Sequence, residues 1–108
     1  MIEIKLGPQS VTARGHAGYG AYGQDIVCAG VSALLATAAE MLLRLEEAGE
    51  VRLPQPIKLE PGDVHLAFEP LGDGTKAGML WETLEAGLRL MEARYGQYVV
   101  ISSGQPDE

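Results

Sequence analysis

Cys28 is the only cysteine of the chain, and His16 is one of two histidines. Between them lies a stretch rich in glycine, and the residues from Ile26 onward are strongly apolar. If Asp25 caps a helix, Cys28 falls in its first turn, where free amides and the helix dipole favour negative charge. A thiolate held there is a nucleophile, and an imidazole nearby can move the protons of acyl transfer. The competing reading is plain: a lone free cysteine on an apolar helix commonly behaves as a small buried hydrophobe. A histidine at a strand end is commonly just a surface group. Asp25 can orient His16, cap the helix, or do both; as a cap it takes an early amide, that of Cys28 included, away from any oxyanion site. Ser32 shares a helix face with Cys28 and can bond the thiolate, a substrate or its own helix backbone.

The loop over residues 17–24 carries Gly18, Gly20 and Gly23 with Tyr19 and Tyr22 among them. Its glycines permit large backbone movement, so the loop suits a flap that a substrate orders. Gly18 to Gly23 also spells G-x-G-x-x-G, a dinucleotide fingerprint. Asp25 puts negative charge where a pyrophosphate would lie, no parallel βαβ unit is evident, and the chain is too short for both halves of such a domain. One cysteine and two distant histidines do not give zinc-ligand spacing, so no metal and no cofactor is expected. His65 stands mid-strand among apolar neighbours and reads as structural.

The elements that must position these residues follow from periodicity. Ile2, Ile4 and Leu6 alternate with Glu3 and Lys5, which predicts a strand over residues 1–6. Gly7-Pro8 turns the chain. A second strand over residues 9–16 places Val11 and Ala13 on one face and Thr12, Arg14 and His16 on the other. A helix is expected from Ile26 to about Ala48, with Gly49 as its stop. Its first half is apolar nearly all round, more than one sheet can cover, which suggests a homodimer contact. A second hairpin is expected from a strand at Ile57–Leu59 and a return strand at Val64–Phe68 around Pro61-Gly62. A helix over about Thr75–Tyr95, capped by Asp73 or Thr75, buries Ala77, Leu80, Trp81, Leu84, Leu88, Met91 and Tyr95 as one stripe. Tyr98–Ile101, almost continuously apolar, reads as a buried last strand. The order β-β-α-β-β-α-β predicts an α+β fold. It is a two-layer sandwich with a mixed sheet of about five strands and two helices on one face.

Length and charge bound the rest. A chain of 108 residues makes one domain, residues 1–108. Eight basic against fifteen acidic residues, net −7, argue against direct nucleic-acid binding and suit a basic protein partner. The apolar run Ile26–Ala39 reads as too short for a bilayer, so no membrane is expected. With no signal-like start and one thiol, a cytoplasmic location is expected.

Gly-His-Ala at 15–17, Tyr-Gly-Gln-Asp at 22–25 and Ile-Val-Cys-Ala-Gly-Val-Ser at 26–32 resemble the ribosomal-processing cysteine protease family Prp, also called YsxB-like. Gly30 departs from the alanine more usual there, and the loop lacks an acidic residue expected near Ala21. The resemblance implies a cytoplasmic, homodimeric bacterial endopeptidase with Cys28 as nucleophile and His16 as general base. Asp25, Ser32 and Gly15 are its supporting residues, and Gly18, Tyr19, Gly20, Tyr22 and Gly23 form its substrate-binding loop. It implies removal of a short N-terminal extension from large-subunit ribosomal protein twenty-seven, with the cut after phenylalanine. The competing class is a non-enzymatic assembly factor that binds a basic ribosomal protein. A thiol redox sensor is a weaker reading, because the chain has no resolving cysteine.

Overall fold

The computed structural model describes residues 1–21 and 23–104. Tyr22 and the C-terminal tail lie outside the described residues. Nine elements follow in order: β1 (Ile2–Leu6), β2 (Ser10–Arg14), α1 (Ile26–Glu47), β3 (Val51–Arg52), β4 (Lys58–Glu60), β5 (Asp63–Ala67), β6 (Glu69–Pro70), α2 (Thr75–Arg94) and β7 (Val99–Ser103). Five strands form one sheet in the order β4-β5-β2-β1-β7, and β3 with β6 makes a small second sheet. Only the β1–β7 pair is parallel, so the main sheet is mixed. The expected α+β architecture with both helices on one face is the one observed.

Period-two patterning sets the sheet's inner face. Ile4 pairs with Ala13 and Leu6 with Val11, and all four are buried. Val27, Val31, Leu35, Ala38, Leu42 and Leu45 of α1 come down on that face, and Ala77, Trp81, Leu84 and Leu88 of α2 complete the core. Trp81 stacks edge-on against Phe68, with centroids 4.8 Å apart, and donates its indole N–H to the Gly7 carbonyl at 3.0 Å. A buried indole thus keeps a partner for its one polar atom.

Several sequence expectations need correction. The second strand stops at Arg14, so His16 is not in a strand but just beyond one. Gly15 there has φ +97°, and a Cβ on it would collide with the Met1 carbonyl oxygen. Thr12, placed on the polar face, is only 5% exposed, because it sits between Lys5 and His65 in the register. The third main-sheet strand is Lys58–Glu60, one residue later than expected, because Pro61-Gly62 ends it and fixes its register with β5. β3 and β6 are too short to leave a periodic signal. The N-cap of α2 is Gly74, at φ +70°, while the Asp73 carboxylate accepts from the Thr75 amide at 2.9 Å. Its helix ends at Arg94, with Tyr95 as C-cap.

β7 is an edge strand, not a buried one. Val99 and Ile101 face the core, Val100 is 41% exposed, and the Ile101 amide donates to Glu92 Oε2 of α2 at 2.8 Å. α1 is likewise longer than the apolar run read from sequence. By length and composition it is apolar enough to cross a membrane, with a mean hydropathy of 2.0 over its best window. Here it is a core helix whose inner face packs on the sheet.

Candidate active site

The start of α1 is organised by one carboxylate. Asp25 has extended backbone, φ −83° and ψ 98°, and its Oδ1 accepts from the amides of Val27 and Cys28, both at 3.0 Å. Its Oδ2 accepts from the Tyr19 amide at 3.0 Å. The Cys28 amide foremost, then that of Tyr19, holds the Asp25 carboxyl below the usual carboxylate range. Asp25 therefore caps the helix and ties the glycine loop to it. Its partners are backbone amides and the Cys28 side chain, not the His16 ring.

Cys28 is partly exposed, and its Sγ accepts from the Ala17 amide at 3.2 Å. That bond fastens the residue after His16 to the thiol. The sulfur thus meets one N–H donor, at a helix start that the Asp25 carboxylate caps. Among the described residues no hydrogen bond joins the His16 ring to Cys28. The ring rests instead on Gly62 in the β4–β5 turn. The two segments are also stitched by the Gly15 amide, which donates to the Gly62 carbonyl at 3.0 Å.

His16, Cys28, Asp25 and Ser32 all line one cavity of about 530 Å³, together with Gly15, Gly18, Gly20 and Gly23. Apolar Ile2, Ala13, Val31, Leu35 and Val64 also line it, and Glu60, Pro61, Gly62 and Asp63 close the side towards β4 and β5. A partly apolar cleft with a few converging polar groups suits a peptide side chain and its carbonyl. The expected dyad therefore shares a cleft. His65 is not among the lining residues and sits in β5 opposite Thr12 and Lys58. The G-x-G-x-x-G loop follows a strand that is antiparallel to both neighbours, which is not the dinucleotide arrangement.

Tyr19 leaves the cavity side and packs edge-on against Tyr95 and Tyr98, at centroid distances of 5.7 and 5.2 Å. In this structure the loop is thus anchored at both Asp25 and an aromatic pair. Tyr22, the other tyrosine of the loop, lies outside the described residues. The amides of Val27, Cys28 and Ala29 are not free oxyanion donors: the first two go to Asp25 Oδ1, and that of Ala29 goes to the Asp25 carbonyl at 3.0 Å. The Ala17 amide, the Gly62 seat and the Tyr95–Tyr98 platform were missed in the sequence. Each depends on strand pairing or on distant contacts; only Pro61-Gly62 left a local trace, as a turn.

A family model described as cysteine protease Prp matches residues 1–100. None of the curated proteins compared matches the chain. Among solved structures, the essential ribosomal processing protease Prp from S. aureus with a covalently linked product peptide is similar at TM-score 0.79. It is 23% identical, with 96% of this chain and 100% of that chain covered. The same S. aureus protease in complex with a substrate peptide gives 0.72 at 22% identity, over the same shares. SMU.848 from Streptococcus mutans gives 0.71 at 24% identity, covering 95% of this chain and 93% of its own. At these identities the likeness concerns the fold.

Proposed function

The chain belongs to the cysteine protease Prp family, and from that premise we propose that Cys28 is the nucleophile and His16 the general acid and base of a ribosomal-protein processing peptidase. The observation that carries this is the shared cleft: the Cys28 sulfur stands at a capped helix start, bonded by the Ala17 amide, and His16 lines the same cavity. His16 takes the proton of the Cys28 thiol, and the thiolate attacks the peptide carbonyl to form a tetrahedral oxyanion. The Ala17 N–H, already directed at the sulfur, is the donor best placed to receive that charge. His16 gives a proton to the leaving amine, and the C–N bond breaks to leave a thioester on Cys28. His16 then takes a proton from water, which hydrolyses the thioester and frees the thiol. Asp25 fixes the helix start and the loop, Gly15 lets the chain turn towards Gly62, and Ser32 presents a hydroxyl to the cleft.

The proposed substrate is the short N-terminal extension of large-subunit ribosomal protein twenty-seven, cut after phenylalanine. Two features support it: the apolar part of the cleft fits an aromatic side chain, and the net charge of −7 suits a basic substrate. The loop from Gly18 to Gly23, with Tyr19 and Tyr22, would close over that segment. A cytoplasmic site of action is consistent with the single free thiol. A homodimer is supported by the exposed, mostly apolar row of Ile26, Ala29, Ala33, Ala36 and Leu43 on α1. The alternative of a binding factor without catalysis loses ground to the family assignment.

The test is cleavage of a peptide spanning the extension junction, read by mass. One cut after phenylalanine is expected from the natural protein. Cys28→Ser should bring it below detection, and His16→Ala should slow it by about 10²–10⁴-fold. An intact peptide with all three proteins folded would refute this substrate. Unchanged cleavage by His16→Ala would refute the base.

A further inference from the structure

His16 has little to hold it. No strand contains it, its side chain is exposed, and the described residues offer its ring no hydrogen bond. What it does have is a surface to rest on. A Cβ built on Gly62 would lie 2.7 Å from His16 Nε2, 2.9 Å from Cε1 and 3.4 Å from Cδ2. The ring therefore spreads over the space that any other residue's side chain would fill. Gly62 is itself fixed: its φ is +72°, its carbonyl accepts from the Gly15 amide, and the next residue, Asp63, pairs with Arg14 at the end of the β2–β5 register. The turn is held to β2 and to Gly15, next to the histidine, by backbone bonds, so it moves with them.

We propose that Gly62 is a positioning residue for the reaction, giving the His16 imidazole its seat in the cavity that Cys28 also lines. This rests on the reading of His16 as the catalytic base. A seat made of bare backbone sets the ring's height and tilt by van der Waals contact and leaves both ring nitrogens free to exchange protons. A hydrogen-bonded orienter would commit one nitrogen; among the described residues no carboxylate hydrogen-bonds the His16 ring, Asp25 being bonded to the Tyr19, Val27 and Cys28 amides. Filling the seat with a methyl group would lift the ring by more than its contact tolerance and detune the base without touching the nucleophile.

The titratable groups that line the cleft around the ring are Asp25 and Cys28 from the start of α1 and Glu60 and Asp63 from β4 and β5. None of them is altered by a substitution at Gly62. The test uses Gly62→Ala, and Gly62→Asn as a second variant, because asparagine tolerates positive φ better while carrying the same Cβ. Gly72→Ala is the control: its φ is +69°, and nothing lies within 4 Å of its Cβ, so it bears similar backbone strain far from the cleft. The readouts are the pH profile of Cys28 alkylation by iodoacetamide, which is clean with a single thiol, and kcat against KM for the junction peptide. Both Gly62 variants should shift the alkylation profile towards that of His16→Ala. They should also lower kcat by about tenfold or more, with KM within about twofold. Gly72→Ala should follow the natural protein in both. Gly62 variants that match the natural protein, beside an altered His16→Ala, would overturn the positioning role alone. A His16→Ala profile and kcat equal to the natural protein's would overturn the base reading and the seat with it.

Discussion

At the scale of single residues, the site depends on how one carboxylate divides its two oxygens. Asp25 Oδ1 caps α1 and Oδ2 ties down Tyr19, so two substitutions separate the roles. Asp25→Asn can keep the cap through its carbonyl oxygen but turns an N–H₂ towards the Tyr19 amide. Asp25→Ala loses both. We expect Asn to spare most of the thermal stability yet quicken exchange of the Tyr19 amide, and Ala to lower Tm as well. Because folding depresses the Asp25 pKa, its stabilising contribution is complete above the usual carboxylate value near 4 and is lost as pH falls through the lower folded value. Urea unfolding at successive pH values should therefore show a shallower acid limb in Asp25→Asn than in the natural protein. Parallel limbs would mean that the carboxylate's charge gives the fold nothing. Asp25, Cys28 and Ser32 were legible beforehand because caps and helix faces are local. His16 was legible as a candidate by type alone: its contact is with Gly62, which only the β2–β5 pairing brings near.

At the scale of elements, α1 and α2 meet through glycines that helix propensity alone would disfavour. A Cβ on Gly30 would lie 2.7 Å from the Met91 methyl, and one on Gly87 would lie 2.7 Å from Leu34 Cδ2 and 3.2 Å from Cδ1. The two differ in what must give way. Met91 is unbranched and half-buried, so its end can swing aside. Leu34 presents both branches and its Cγ to Gly87, and moving it disturbs the helix seam. Gly30→Ala should thus fall between neutral and about 1 kcal/mol stabilising, the gain coming from propensity. Gly87→Ala should lose about 1–2 kcal/mol to overpacking. Chemical denaturation of the two variants checks the contrast, and equal shifts would argue against close packing at Leu34. Both helices and all five main strands were readable as elements, most from a hydrophobic period and β4 from the Pro61-Gly62 turn that ends it. β7 was misplaced because an apolar run signals burial on its faces and not whether a further strand lies beyond. Here Glu92 satisfies the edge amide that a sixth strand would have taken. β3 and β6, with two residues each, carry no period at all.

At the scale of the whole molecule, the outward side of α1 is the feature that a lone domain does not use. Ile26 is 55% and Leu43 47% exposed, and Ala29, Ala33 and Ala36 lie exposed in the same row at helical spacing, which Glu40, paired with Arg44, interrupts before Leu43. A stable protein interface buries about 600–1,000 Å² on each partner, roughly a tenth to a sixth of this chain's 6372 Å² surface. A second copy seated along this row would turn small alanines into close helix contacts. Sedimentation at micromolar concentration should then give a dimer. Ala33→Glu, at the centre of the row, should weaken it by about thirtyfold or more, since a buried unpaired carboxylate costs about 2 kcal/mol or more. Circular dichroism should find the variant as helical as the natural protein, because Ala33 is exposed within the single chain. The row also bears on catalysis. Ala29 belongs to it and at the same time lines the cleft beside Cys28, so a partner on α1 would stand at the cleft's rim. If that is the arrangement, kcat/KM should fall on dilution through the dimer's dissociation constant and should be low at all concentrations in Ala33→Glu. A natural protein that sediments as a monomer at 100 µM, with kcat/KM unchanged on dilution, would leave the cleft complete within one chain and the row on α1 without a partner copy.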